Sequence, residues 1–281
     1  MNRKLPLPVG VRRVATALFT AAQLLDPSRL ALTSGRQEWG SVALVAVYRA
    51  RHAERLRRLV QQLHRDATVR LWCLDEPPAQ LRDMTYGSGP GVRFTLLNAL
   101  IDTIPRAQRR DCLLLSDDDY SFLVGSLPQL VSAGQVFGLD LWQPAHARSS
   151  SISYTFVRRR VGTVLRRTTF VEQGPVVALS ARAQDVLLPL PEDLGMGWGA
   201  EVRWMDRVRD HRLRLGIVDA LAIHHALSES YDKSAQLHQL QAVLDEAGIA
   251  SLDDIQHVCS RLRFWESLPR IRASANSVVA P

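Results

Sequence analysis

The chain has 281 residues, near twice a common domain of ~150, so one large domain or two small ones fit. It is 46% hydrophobic and 22% charged with 16 Gly and 14 Pro, and no apolar run nears the ~20 residues of a membrane span, which argues against a disordered chain, a collagen, a coiled-coil rod and an integral membrane protein. The net charge is +7, and the 35 basic residues are dispersed rather than gathered in the dense run of a nucleic-acid arm, so no nucleic-acid partner is expected.

Residues 1–37 read as an N-terminal extension. Val11, Val14, Ala15, Leu18, Ala22 and Leu25 recur at helical spacing, beside Arg3, Lys4, Arg12 and Arg13. A basic amphipathic helix of this kind suits peripheral contact with a membrane surface, or packing on the main domain. Gln23 and the lack of a small-x-small cleavage site argue against a signal peptide.

The main domain is expected over residues 38–231. Val42–Tyr48 is continuously apolar, as in a strand buried on both faces. Leu56, Leu59, Val60 and Leu63 mark a helix. Val69–Leu74 reads as a second strand and Tyr86–Gly91 as a flexible loop, and Arg93–Ile104 as a helix stopped before Pro105. A third strand, Asp111–Leu115, runs into Ser116-Asp117-Asp118-Asp119. A helix near Pro128–Val131 and a strand over Val136–Trp142 follow. This alternation predicts a parallel α/β sheet with right-handed crossovers and a ligand beyond the carboxyl ends of its strands.

Further on, alternation in Val157–Thr169 predicts a hairpin turning at Gly162. It carries Arg158, Arg159, Arg160, Arg166 and Arg167, read as a solvated face or as a contact for a phosphorylated or lipid-linked acceptor. Val176–Leu179 reads as a strand. The Gly/Trp loop Gly195–Gly199 opens a helix over Glu201–Arg212. Gly216–Ile223 is a last strand, ending at His224-His225. Residues 232–281 read as a C-terminal helical extension. Leu237, Leu240 and Leu244 form one face, and Ile255, Val258 and Leu262 lie behind a capping box at Ser251–Asp254. Cys73, Cys112 and Cys259 are too scattered for a disulfide framework or a zinc motif, and fit a reducing cytosol.

Three successive carboxylates at a strand end repel one another unless a cation neutralises them. On a strand Asp117 and Asp119 share one side, a D-x-D pair able to present two oxygens to Mn2+ or Mg2+. One of His224 and His225 could complete that shell. Glu201, at a helix start after the Gly/Trp loop, is a candidate general base.

In this order the motifs resemble a GT-A glycosyltransferase, similar to glycosyltransferase family 2, over roughly residues 41–231. The resemblance implies a GT-A-like, Rossmann-like, mostly parallel sheet flanked by helices. Tyr48-Arg49-Ala-Arg51 is similar to that group's strand-end Tyr-Asn-Arg, and Asp75 to the acid that approaches the nucleoside. Arg93-Phe-Thr-Leu-Leu-Asn98 is similar to its Lys-x-x-x-Leu-Asn segment. The resemblance thus implies donor binding by Tyr48, Arg49, Asp75, Arg93, Asn98, Asp117 and Asp118. It implies a divalent metal on Asp117, Asp119 and His225, with His225 preferred to His224. Glu201 takes the place of the catalytic base, with Glu192-Asp193 as second choice. Trp198 would stack on an acceptor sugar, and Trp142 is a weaker candidate.

The implied reaction is metal-dependent transfer of a sugar from a nucleotide-sugar donor to a hydroxyl on a glycan, lipid-linked or other acceptor. Inversion is expected. So is non-processive action, because the Gln-x-x-Arg-Trp signature of processive synthases is absent. Two alternatives stand beside it: a sugar-nucleotide nucleotidyltransferase and a non-catalytic glycan-binding domain of the same fold. The expected location is the cytoplasm, including the inner face of the plasma membrane.

Overall fold

A computed structural model of the chain describes residues 40–226, 233–263 and 266. The helix read in residues 1–37 lies outside the described residues. Among those described, no helix is long and apolar enough to cross a membrane.

One mixed sheet organises the molecule. It contains β1 (Val42–Tyr48), β2 (Thr68–Cys73), β3 (Thr85–Ser88), β4 (Cys112–Ser116), β5 (Tyr120–Val124), β6 (Leu141–His146), β7 (Thr163–Thr168), β8 (Val176–Leu179), β9 (Leu215–His225) and β10 (Val258–Arg263). The spatial order is β10-β7-β9-β6-β8-β4-β1-β2-β3, with β5 paired to β9. Most strands on this path run one way; β7 and β8 run against them. The mostly parallel sheet expected from the alternation is therefore present.

Helices cover both faces. β1 is buried on both sides because its residues divide between two cores by simple alternation. Ala43, Val45 and Val47 join one core with α2 (Arg93–Asp102), α4 (Ala181–Leu187), α5 (Ala200–Asp210) and α6 (Lys233–Ala247). Val42, Leu44, Ala46 and Tyr48 join the other with α1 (Ala53–Val60) and α3 (Leu127–Phe137).

Several local expectations are corrected. Val136 and Phe137 finish α3 rather than begin a strand. Ser126 caps that helix, accepting from the Gln129 backbone N, and Gly138 ends it at φ 58°. The strand therefore starts later, at Leu141. Residues 86–88, expected in a loop, belong to the edge strand β3. Val258 and Leu262 lie not on a helix but in β10, which pairs antiparallel with β7.

The hairpin over residues 157–169 is also not formed. Arg158 bridges to His146 of β6, while β7 pairs with β9 and β10. The cause is a buried charge. Arg166 and Asp219 are both fully buried, with Arg166 donating from Nε to Asp219 Oδ2 at 2.7 Å and from Nη2 to Oδ1 at 3.1 Å. The Arg160 backbone N also donates to Asp219 Oδ1. Pro144 in β6 has no N–H, and the β6–β9 register shifts just after it. Arg159 Nε donates to the Asp219 carbonyl at 2.7 Å at this irregularity. Arg159 and Arg166 thus serve the interior, while Arg158, Arg160 and Arg167 stay half-buried.

Asp219→Ala leaves a charged guanidinium in the core and should destabilise the chain by about 3–5 kcal/mol in urea denaturation. Arg209→Ala, which breaks only exposed pairs with Asp206 and Asp210, should change stability by less than about 0.5 kcal/mol.

Candidate active site

The carboxyl ends of β1, β4 and β9, the start of α2 and the segment before β8 meet around a cavity of about 340 Å3. β8 contributes its amino end because it is antiparallel to β4, with Val176 beside Ser116. The Asp117 backbone N accordingly donates to the Pro175 carbonyl at 2.7 Å.

β4 ends at Ser116, so the three aspartates occupy the turn between β4 and β5, each with its own partner. Asp117 Oδ1 accepts from Arg93 Nε at 2.7 Å. Asp118 Oδ2 accepts from the Arg49 backbone N at 2.6 Å, and its Oδ1 lies 3.1 Å from His52 Nδ1. Asp119 Oδ1 lies 3.1 Å from His225 Nε2. Burial raises the Asp117 pKa against the opposing charge of Arg93. Burial works to lower that of His225, but the hydrogen bond and charge of Asp119 outweigh it, and the net shift is upward.

Of the other residues expected at the site, Tyr48, Arg49, Arg93, Trp198 and His225 line the cavity. Tyr48 is buried, its hydroxyl 2.8 Å from Thr85 Oγ1, and burial pushes its pKa up to about 12. Arg93 is buried, and Nη1 donates to Gln173 Oε1 while Nη2 has no hydrogen-bond partner. Asp75 is instead exposed and accepts from the Ala50 backbone N at 2.9 Å, fixing the turn that leaves β1. Asn98 clasps the 190–192 loop, exchanging hydrogen bonds with the Leu190 backbone and donating to Glu192 Oε1. Asp193 is exposed near Arg203. Trp142 is a core residue, donating from Nε1 to the Leu130 carbonyl at 2.7 Å. His224 does not line the cavity; His225 does.

Glu201 sits in the first turn of α5, behind Gln173, and is not part of the cavity wall. Its Oε1 accepts from the Gln173 backbone N at 3.1 Å, and its buried Oε2 has no hydrogen-bond partner. Burial raises its pKa from the ordinary 4.5 to about 7.

Glu172 was missed by sequence reasoning. It lines the cavity, its backbone N donates to Gln143 Oε1, and its Oε2 is 3.8 Å from His146 Nε2. Burial, then the charge of Glu201, pushes its pKa well up. His146 is driven down to about 3 by burial and by neighbouring His225, so its ring is neutral. The one sequence signal was a polar Glu-Gln pair just ahead of Gly174-Pro175 and an apolar strand.

No family model matches the chain, and no curated protein matches its sequence. Among solved structures, GalNAc-T7 crystallised with UDP, GalNAc and Mn2+ aligns over 88% of this chain and 59% of its own, at 11% identity and TM-score 0.53. Two crystal structures of S. aureus TarS also align. One covers 76% of this chain and 44% of its own at 9% identity, TM-score 0.49. The other, TarS 1-349 with UDP, covers 84% and 71% at 10% identity, TM-score 0.48. The fold is of the GT-A type. The chain spans about 59% of the length of GalNAc-T7.

At this edge of the GT-A sheet, Asp119 and His225 offer adjoining oxygen and nitrogen donors, chemistry that Mn2+ and Mg2+ accept. Among the described residues no group of three His, Cys, Asp or Glu side chains is assembled for a cation. Asp117, expected in that set, is turned to Arg93. The protein donors fit a cation that takes its remaining ligands from water and phosphate.

Glu201 keeps its proton to about pH 7 when folded, against the ordinary 4.5 once unfolded. The stability linked to that proton is complete below pH 4.5 and is lost as pH rises through 7. Glu201→Gln removes the loss. Denaturation curves should show the variant gaining about 3 kcal/mol on the parent across this window; a constant difference would mean the carboxyl is not desolvated.

Proposed function

We propose that this chain is a glycosyltransferase that moves a sugar from a nucleotide-sugar donor to an acceptor hydroxyl. One observation carries the reading. On a GT-A fold, Asp119 and His225 stand 3.1 Å apart in the wall of a cavity that buried Arg93 and half-buried Trp198 also line. GalNAc-T7, whose fold this chain shares, was crystallised with UDP, GalNAc and Mn2+.

In this reading Asp119 and His225 hold the divalent cation, with Asp117 close by. When bound, the cation stabilises charge on the departing diphosphate. Arg93 adds a fixed positive charge whose guanidinium Asp117 and Gln173 hold in place. Tyr48 and Arg49 face the nucleotide at the β1 edge, and Trp198 offers an apolar face to a sugar. A buried carboxylate takes the proton of the acceptor hydroxyl as its oxygen attacks the anomeric carbon, giving inversion. Glu201 suits this by its unpartnered Oε2 and its pKa near 7. Glu172 is the second reading for the base, because it lines the cavity and Glu201 does not.

A thermal-shift screen of nucleoside diphosphates with and without Mn2+ tests the donor site. A shift that needs the metal is expected, and Asp119→Ala and His225→Ala should each abolish it. No shift with any nucleotide, while glycan binding persists, would favour a binding module; release of pyrophosphate would favour a nucleotidyltransferase.

Transfer assays with Glu201→Gln and Glu172→Gln separate the two bases. The true base should lower kcat by about 10²–10⁴ with little change in donor affinity. Equal, small losses in both would remove the base from this site.

A further inference from the structure

A second cavity, of about 570 Å3, lies between the start of α1 and β5. Arg51, His52, Arg55 and Arg58 line it on the α1 side, Ser121 and Phe122 on the β5 side. His52 also lines it, and its Nδ1 lies 3.1 Å from Asp118, which lines the first cavity.

The charges in this second cavity do not balance. Glu54 is its acid, and both oxygens are committed: Oε2 accepts from Arg57 Nε, and Oε1 accepts from Arg57 Nη2 and Arg58 Nε, all at 2.8–2.9 Å. Arg51 and Arg55 have no carboxylate partner among the described residues. Two guanidinium groups that line one cavity without a carboxylate partner make a site for an oxyanion.

The first cavity already supplies groups for a donor diphosphate, and the Asp118–His52 contact stands between the two. We propose that Arg51 and Arg55 form a separate phosphate-binding subsite, and that the acceptor of the transfer carries a phosphate group seated there. The phosphate requirement rests on the arginines; that its bearer is an acceptor rests on the transferase reading.

The test compares the full chain with Arg51→Gln/Arg55→Gln, a surface variant that removes no hydrogen bond or ion pair among the described residues. Each is titrated with inorganic phosphate by calorimetry, with and without saturating UDP and Mn2+. The parent should bind phosphate whether or not UDP is present, and the double variant about tenfold or more weakly. Arg51→Lys/Arg55→Lys should recover part of the affinity. The UDP–Mn2+ thermal shift should be the same in all three. Vesicles of phosphatidylglycerol and of phosphatidylcholine separate the sources. Retention on phosphatidylglycerol alone, lost in the double variant, assigns a lipid phosphate; no retention with phosphate binding intact assigns a soluble one. Equal phosphate affinity in parent and double variant would overturn the subsite. So would loss of the UDP shift in the variant, which would place both arginines in the donor site. If UDP fails to bind the parent, the transferase reading falls, and the phosphate titration without UDP still decides the subsite.

Discussion

Three adjacent carboxylates cannot share one turn without raising each other's energy, and the site is built around how each is neutralised. Asp117 is met by Arg93 from α2, Asp118 by the Arg49 backbone and His52 from the exit of β1, Asp119 by His225 from the end of β9. The partners come from segments distant in sequence. The same contacts that relieve the repulsion therefore draw the first strand, the second helix and the last long strand to one point. Moving any one of these segments would expose a carboxylate to its neighbours.

That edge depends in turn on a second charge pair deeper in the sheet. β9 must deliver His225 to the edge although Pro144 breaks its ladder with β6. A strand with an interrupted ladder has a weakly fixed register. Asp219 lies at the interruption, and Arg166, Arg159 and the Arg160 backbone grip it from inside. The Phe156 and Arg158 carbonyls accept from Arg166 Nη1 and Nη2 as well, which satisfies the guanidinium donors that burial would otherwise leave bare. The ion pair replaces the missing strand hydrogen bonds, and so fixes a strand whose far end carries a site residue.

The sequence made the left half of this arrangement legible. β1 is a run of apolar residues buried on both faces, a composition that only a central strand satisfies, and β4 announces its end by switching from Leu115 to Ser116 and three aspartates. The right half was harder because one assumption failed. A parallel sheet puts every strand's amino end at the edge away from the ligand, which hid Glu172 and Gln173. β8 is antiparallel, so its amino end lies beside Asp117. Period alone also could not show that Val136 and Phe137 complete a helix, since Gly138 stops it only two residues before the next strand's approach. Arg159 and Arg166 were read with the surface for a related reason: the residue that draws them inward, Asp219, lies more than fifty residues further along.

Glu172 and Glu201 then pose a sharper problem than either alone. Both are buried, and the charge of Glu201 adds to the burial that raises the Glu172 pKa. Gln173 joins them to the rest of the site, because its backbone N donates to Glu201 while its side-chain oxygen accepts from Arg93. Gln173, which steadies the Arg93 guanidinium, thus also holds the Glu201 carboxylate. Glu172 and Glu201 each leave a buried Oε2 without a hydrogen-bond partner, and burial favours the neutral form of both.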